Sequence, residues 1–178
     1  ETKLRQTFLE KKFKRIEGHQ FLPKDLKNDY EVHRIAIRKI ASNTNERTLI
    51  AALIPPYSFA GNSLSVHFPF YHTKVGYNNL RFLGSEMLVL LSALNSFVVD
   101  YVLRSRMTTN LNLFYLYQLP VPRLIESDKA FDEIVKRAAK LVCTTPDFDS
   151  LAQEVGMKSH KDGATDPIER AKLRAELD

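Results

Sequence analysis

The chain has 178 residues, of which 44% are hydrophobic and 26% charged, so it can bury a core and is not globally disordered. Its single cysteine, Cys143, excludes an internal disulfide and a cysteine-based metal cage, and it fits a reducing cytoplasm. The first residues are charged, which gives no sign of a secretory signal. Because the chain begins with Glu1 rather than Met, we expect a piece cut from a longer protein.

The net charge of +5 is unevenly distributed. Residues 1–47 carry twelve Lys/Arg against seven Asp/Glu, residues 48–125 carry five against two, and residues 126–178 carry nine against twelve. A basic body with a mildly acidic tail suggests one side that faces a polyanion and another that packs on protein. A basic protein with solvated lysines explains the same numbers, so charge alone leaves both interpretations open.

Residues 33–40 alternate between apolar and polar side chains, and this pattern predicts a half-buried strand. Ile35 and Ile37 fall on one face, which we expect to be buried. Arg34 and Arg38 fall on the other, and we expect that face to be open.

A polar loop at residues 42–47 separates this strand from residues 48–54, which are apolar on both faces and predict a central strand. The two Pro residues at 55 and 56 end it. The two strands are predicted to form a hairpin whose tip is rich in amide and hydroxyl side chains.

The longest apolar stretch, from Met87 to Leu103, predicts a central buried helix. Ser85 stands where an N-cap is expected, Glu86 adds a negative charge to the first turn, and Arg104 and Arg106 fall in the last turn. The stretch is shorter than a bilayer span and contains polar residues, so we expect a core helix and no membrane. We expect Asp100 to pair with Arg104, four residues on, rather than to act as a general base.

A polar loop at residues 107–110 follows, and residues 111–119 predict an aromatic-rich strand closed by Pro120 and Pro122. Beyond it, Ser127 or Asp128 is expected to cap a helix that ends at about Val142, and further helices begin near residues 146 and 167. The apolar stripe of the first of these helices is Phe131, Ile134, Val135, Ala138, Leu141 and Val142. The predicted fold is therefore α+β, with a small mixed sheet packed on a central buried helix and followed by a C-terminal helical segment.

The chain offers little catalytic chemistry. Its five histidines lack both HExxH spacing and a cysteine partner, so we expect no metal site. It has neither a glycine-rich phosphate loop nor a GxSxG elbow. The string IPPY at residues 54–57 has the form of the Asn-Pro-Pro-Tyr motif of adenine methyltransferases, but Ile54 has no hydrogen-bond acceptor for a target amine, and we assign no methyl transfer to it.

Donors suited to nucleic acid cluster in the loops between the predicted elements. Arginine can hold phosphate or bind guanine through two hydrogen bonds, and asparagine can bind adenine edges. Each Asn is also a good turn former, and Arg47 could instead pair with Glu46 or Asp100. The candidate DNA-binding residues are Arg38, Lys39, Asn43, Asn45, Arg47, Arg104, Arg106, Thr108 and Asn110.

Several runs together resemble the C-terminal part of fused type IIG and type ISP-like restriction–modification adenine methyltransferases. They are RIAIR at 34–38, TNERTLIAALIPP at 44–56, LNSFVVDY at 94–101 followed by Arg104, and NLF with QLPVP at 112–122. The resemblance covers the chain from about residue 30 to its end.

The resemblance implies a target recognition domain over residues 1–125, similar to half of a type I specificity subunit, and a helical arm over residues 126–178. Such a module would recognise double-stranded DNA and dock on the methyltransferase domain of the same chain in the cytoplasm. The fragment itself would bind no cofactor and catalyse nothing. The parent protein would use S-adenosylmethionine to methylate adenine, with or without endonuclease activity. The alternative is a structural or protein-interaction module of the same enzyme, with little DNA affinity of its own.

Overall fold

Three antiparallel strands form the sheet in a computed structural model of the chain, which describes residues 28–71, 82–107 and 110–178. The strands are β1 (Arg34–Arg38), β2 (Ala51–Ile54) and β3 (Leu64–Val66), and their order in the sheet is β2-β1-β3. Ile35 of β1 lies opposite Leu53 of β2, and Ile37 lies opposite Ser65 of β3. The predicted hairpin of the first two strands is thus confirmed.

Two features of the predicted sheet were wrong. Every described pairing is antiparallel rather than mixed, because the connections between the strands contain no crossover helix and a parallel pair needs one of a dozen or more residues. The central strand is β1, whereas β2 lies at an edge of the described sheet and leaves Ala52 exposed.

Arg34 is buried, although we predicted that it lies on an open face. The segment around Ser58 covers Arg34, and one guanidinium nitrogen of Arg34 donates to the carbonyl oxygen of Ser58. A second nitrogen lies 3.8 Å from the carboxylate of Asp29. Burial lowers the pKa of Arg34, and the charge of Asp29 opposes that shift.

The predicted central helix is two helices, α1 (Gly84–Leu94) and α2 (Phe97–Arg104), which meet at an angle of 54°. The break follows from Ser96, which is extended and accepts a hydrogen bond from the Val99 amide as the N-cap of α2. The N-cap of α1 is Leu83 rather than Ser85, and Glu86 accepts from the Leu83 amide at 2.8 Å. Arg104 ends α2 as predicted, and Arg106 lies beyond it.

Residues 111–119 contain a short helix, α3 (Leu113–Leu116), where we predicted a strand. Tyr115 and Leu116 of this helix pack against the core with Leu119, which follows them by four and three residues, and this spacing matches a helical turn and not a strand. The strand-like character of this stretch is limited to one bridge between Asn110 and Ile40.

The C-terminal helices are α4 (Phe131–Val142), α5 (Asp149–Glu154) and α6 (Pro167–Leu177). Helix α4 begins later than predicted, after Ala130, but its apolar stripe is confirmed because Phe131, Val135 and Ala138 are buried. Single 3-10 turns occur at Asp29–Glu31, Pro146–Phe148 and His160–Asp162.

Helix α1 is the centre of the core, as the predicted α+β fold requires. It packs against β2, α4 and α5, and Leu88 is fully buried. The buried cluster continues from the sheet through α1 to Ala139 and Leu151, so residues 28–125 and 126–178 share one core. Within the described ranges no single helix could cross a membrane by length and apolar content, and only the bent pair of α1 and α2 passes such a test together.

Candidate nucleic-acid interface

Asp100 holds the loop between β1 and β2 through that loop's backbone. The carboxylate is buried in α2, and its Oδ1 atom accepts hydrogen bonds from the amides of Thr48 at 2.8 Å and Leu49 at 2.6 Å. Its Oδ2 atom lies 3.1 Å from Nη2 of Arg104. The predicted pairing of Asp100 with Arg104 is therefore confirmed, and the acid is fully engaged in structure.

Arg104 continues this attachment at the other side of the loop. Its Nη1 atom donates to the carbonyl oxygen of Asn43 at 3.1 Å, and Nη2 donates to that of Glu46 at 2.7 Å. The guanidinium thus satisfies two carbonyls of a loop that has no regular partner strand. One third of the Arg104 side chain stays exposed, which leaves part of its charge at the surface.

Arg47 and Arg38 also contact protein groups. The guanidinium of Arg47 lies over the Phe97 ring, 4.3 Å from its centroid, and donates to the carbonyl oxygen of Asn95. Arg47 therefore pairs with neither Glu46 nor Asp100. Arg38 donates through Nη2 to the Arg47 carbonyl at 3.2 Å, while its buried Nε atom has no hydrogen-bond partner among the described residues.

Lys39 lies where three separate stretches of chain meet. Its amide donates to the Ser63 carbonyl at 2.9 Å, and its carbonyl accepts from the Leu111 amide at 2.9 Å. Its ammonium lies 3.4 Å from the side-chain oxygen of Asn62. The bridge between Ile40 and Asn110 joins the same stretches. Residues 38–47, 61–63, 104–107 and 110–112 thus form one surface at the end of the sheet, which we call the polar rim.

The candidate residues differ in how accessible they are on the rim. Asn43, Arg106 and Asn110 are exposed, and Asn45 is half-buried in a turn that its amide closes on Ser42. Arg106 makes one long hydrogen bond of 3.4 Å to the Gln118 carbonyl. Thr108 lies outside the described residues.

The rim is basic. Five Lys/Arg residues, three in 38–47 and two in 104–107, stand against one acid, Glu46. Sequence reasoning missed Asn62, because its contact with Lys39 joins residues far apart in the sequence. It also missed Asn95, whose side-chain amide bonds to the edge of β2 at Ala51.

In the parts of the chain that the structure describes, no group of three or more His, Cys, Asp and Glu residues could hold a metal ion. Comparison of the chain with protein-family models, with curated proteins and with solved structures found no match.

Proposed function

We propose that this chain is the DNA-recognition module of a restriction–modification adenine-N6 methyltransferase. The observation that supports this proposal best is the polar rim, because basic and amide side chains from distant parts of the sequence lie together there. The resemblance of residues 34–56, 94–104 and 112–122 to the recognition domains of such enzymes supports the same conclusion.

The rim residues at or near the surface divide by chemistry into two roles. Lys39 and Arg106 are charged and near the surface, which suits contacts with phosphate that set position and affinity. Asn43 and Asn110 carry exposed amides with a donor and an acceptor, which suits contacts with base edges. The remaining arginines donate their hydrogen bonds to protein groups; these are Arg38, Arg47 and Arg104. Their main role in this proposal is to fix the loop that presents the DNA-contacting side chains.

The reaction chemistry belongs to the parent protein in this proposal. A methyltransferase domain of the same chain would bind S-adenosylmethionine and flip the target adenine. The present module would hold the duplex in register for that step. We therefore expect the parent sequence to contain an Asn/Asp-Pro-Pro-Tyr motif upstream of Glu1.

A gel-shift titration across a salt series tests the proposal with a charge-matched control. We expect the double variant Lys39→Ala/Arg106→Ala to bind random duplex more weakly and with a salt slope reduced by about two. The control is Lys129→Ala/Lys158→Ala, which removes two exposed charges from the helical arm. Equal weakening by both pairs would contradict a binding surface at the rim, and no retention of duplex at low salt would contradict DNA binding altogether.

One observation favours the alternative, a protein-interaction module. Phe97, Val98 and Tyr101 lie on one exposed face of α2, and Tyr101 is 74% exposed. An apolar helix face of this kind commonly marks a contact with another protein domain. The variant Val98→Asp/Tyr101→Lys should then prevent docking on the methyltransferase domain while leaving the affinity for duplex DNA unchanged.

A further inference from the structure

Three aromatic side chains cluster at the end of β1 opposite the polar rim. The ring centroids of Tyr30 and Phe59 are 5.1 Å apart with the planes tilted by 32°, and those of Tyr30 and Tyr57 are 6.4 Å apart in an edge-to-face arrangement. Tyr57 is 73% exposed and Phe59 is 82% exposed. Two large rings therefore face solvent while a third supports both from beneath.

The backbone under these rings is held in place. Tyr57 has φ of 62°, a conformation that costs a non-glycine residue energy and that persists where surrounding contacts impose it. Its amide donates to the Tyr30 carbonyl at 2.6 Å. The next carbonyl, that of Ser58, accepts from the buried guanidinium of Arg34. The exposed rings are thus preorganised rather than loosely attached.

The same segment leads directly to the polar rim. From Phe59 the chain runs through Gly61 to Asn62, whose side chain contacts Lys39. Three residues span at most about 11 Å, which corresponds to about three base pairs at 3.4 Å each. A nucleic acid with a phosphate at Lys39 therefore has bases within reach of the rings. This continuity favours nucleic acid over a protein as the ligand.

We propose that Tyr57 and Phe59 form a stacking surface for an unpaired base of bound nucleic acid. Aromatic rings stack on any base because every base has a π-face. Base flipping by the parent enzyme would break a pair and leave such a base available. This inference rests on the proposed function, and it adds a second class of DNA contact beside the phosphate and base-edge contacts of the rim.

Fluorescence of 2-aminopurine tests the stacking directly, since the chain has no tryptophan. The probes are two duplexes of equal length, one fully paired and one with a single unpaired 2-aminopurine, and the corresponding single strand. We expect the unpaired probe to bind about tenfold more tightly than the paired one, with quenching of its emission. The variant Tyr57→Ala/Phe59→Ala should lose both the preference and the quenching, whereas Tyr57→Phe keeps both.

Tyr101→Ala is the matched control, because it removes an equally exposed ring from α2, and a thermal melt of each variant checks folding. Equal binding of the two probes by the unaltered chain would overturn the stacking proposal and leave the proposed function standing. Binding of the unpaired probe and of a single strand, but not of the paired duplex, would overturn duplex recognition and support stacking. Failure to bind any nucleic acid would overturn both, and the rings would then be a contact surface for protein.

Discussion

Asp100 and Arg104 attach the same loop to α2 through opposite kinds of backbone group. The carboxylate accepts from the amides of Thr48 and Leu49, and the guanidinium donates to the carbonyls of Asn43 and Glu46. The two side chains are themselves ion-paired at 3.1 Å. The loop that carries four of the candidate binding residues therefore takes its shape from one turn of one helix.

Replacing Asp100 should destabilise the protein severely. Asp100→Ala leaves two buried amides without an acceptor and removes the partner of Arg104, so we expect the free energy of unfolding to fall by roughly 2–4 kcal/mol. Urea unfolding followed by circular dichroism measures this. Asp132→Ala, on the exposed side of α4, is the control, and a similarly small loss for both variants would show that Asp100 does not hold the loop.

Asn95 should protect the outer edge of β2. Its side chain accepts from the Ala51 amide at 3.2 Å and donates to the Ala51 carbonyl at 2.9 Å, as a neighbouring strand would. Asn95→Ala should lower stability by roughly 1–3 kcal/mol and speed hydrogen exchange of the Ala51 amide in particular. Unaltered exchange at Ala51 would contradict the capping of this edge.

Gly163 should tolerate no side chain. A Cβ atom there would collide with the backbone oxygen of Cys143 and approach that of His160, and backbone atoms cannot turn aside as a side chain can. We expect Gly163→Ala to cost roughly 1–3 kcal/mol in thermal or chemical unfolding. Gly61→Ala, where no atom lies within 4 Å, should stay within about 0.5 kcal/mol, and equal effects would refute the close approach.

Substitutions at Arg106 and Arg104 should have different effects, the first on DNA affinity and the second on the stability of the fold. Arg106→Ala removes an exposed charge with one weak hydrogen bond, so duplex affinity and its salt slope should fall while the melting temperature stays unchanged. Arg104→Ala removes the contacts to Asn43, Glu46 and Asp100, so the melting temperature should fall. Arg106→Lys keeps the charge and serves as control; a drop in melting temperature for Arg106→Ala as large as for Arg104→Ala would contradict the division.

Cys143 should make the protein less stable in alkaline solution. Burial raises the pKa of its thiol to about 11, with a further contribution from the charge of Asp149. The thiol of the unfolded chain ionises near its ordinary pKa of 9.0, so this contribution to stability is complete below that pH and is lost as pH rises towards 11, by about 2–3 kcal/mol in total. The difference in unfolding free energy between the unaltered chain and Cys143→Ala, measured from pH 8 to pH 11, should shrink accordingly; a constant difference would contradict it.

Periodicity predicted α4 well because this helix buries one regular stripe. The stripe of α4 and the start of α6 at Pro167 follow from local sequence alone. The break between α1 and α2 was missed because the run is apolar on both sides of it. Ser96, three residues before the Val99 amide that it caps, was the available signal.

The binding surface was only partly predictable, for a physical reason. The candidate arginines were identified by residue type, but type alone does not separate Arg106, which is exposed, from Arg47, which lies over Phe97. That difference depends on contacts between residues far apart in sequence. Arg34 shows the same limit, since alternation placed it on the correct face of β1 but could not show that residues near Ser58 cover that face.

The way in which α2 holds its loop has a practical consequence for engineering. The hydrogen bonds that Asp100, Arg104 and Arg38 make with residues 43–49 all go to main-chain atoms, and main-chain atoms are the same whatever side chains the loop carries. The exposed side chain at 46 can therefore be randomised in a library with these contacts intact, and polar residues at 43 and 44 would keep the contacts that Asn43 and Thr44 make with the Ser42 hydroxyl. Selection from such a library would vary surface chemistry on a constant framework.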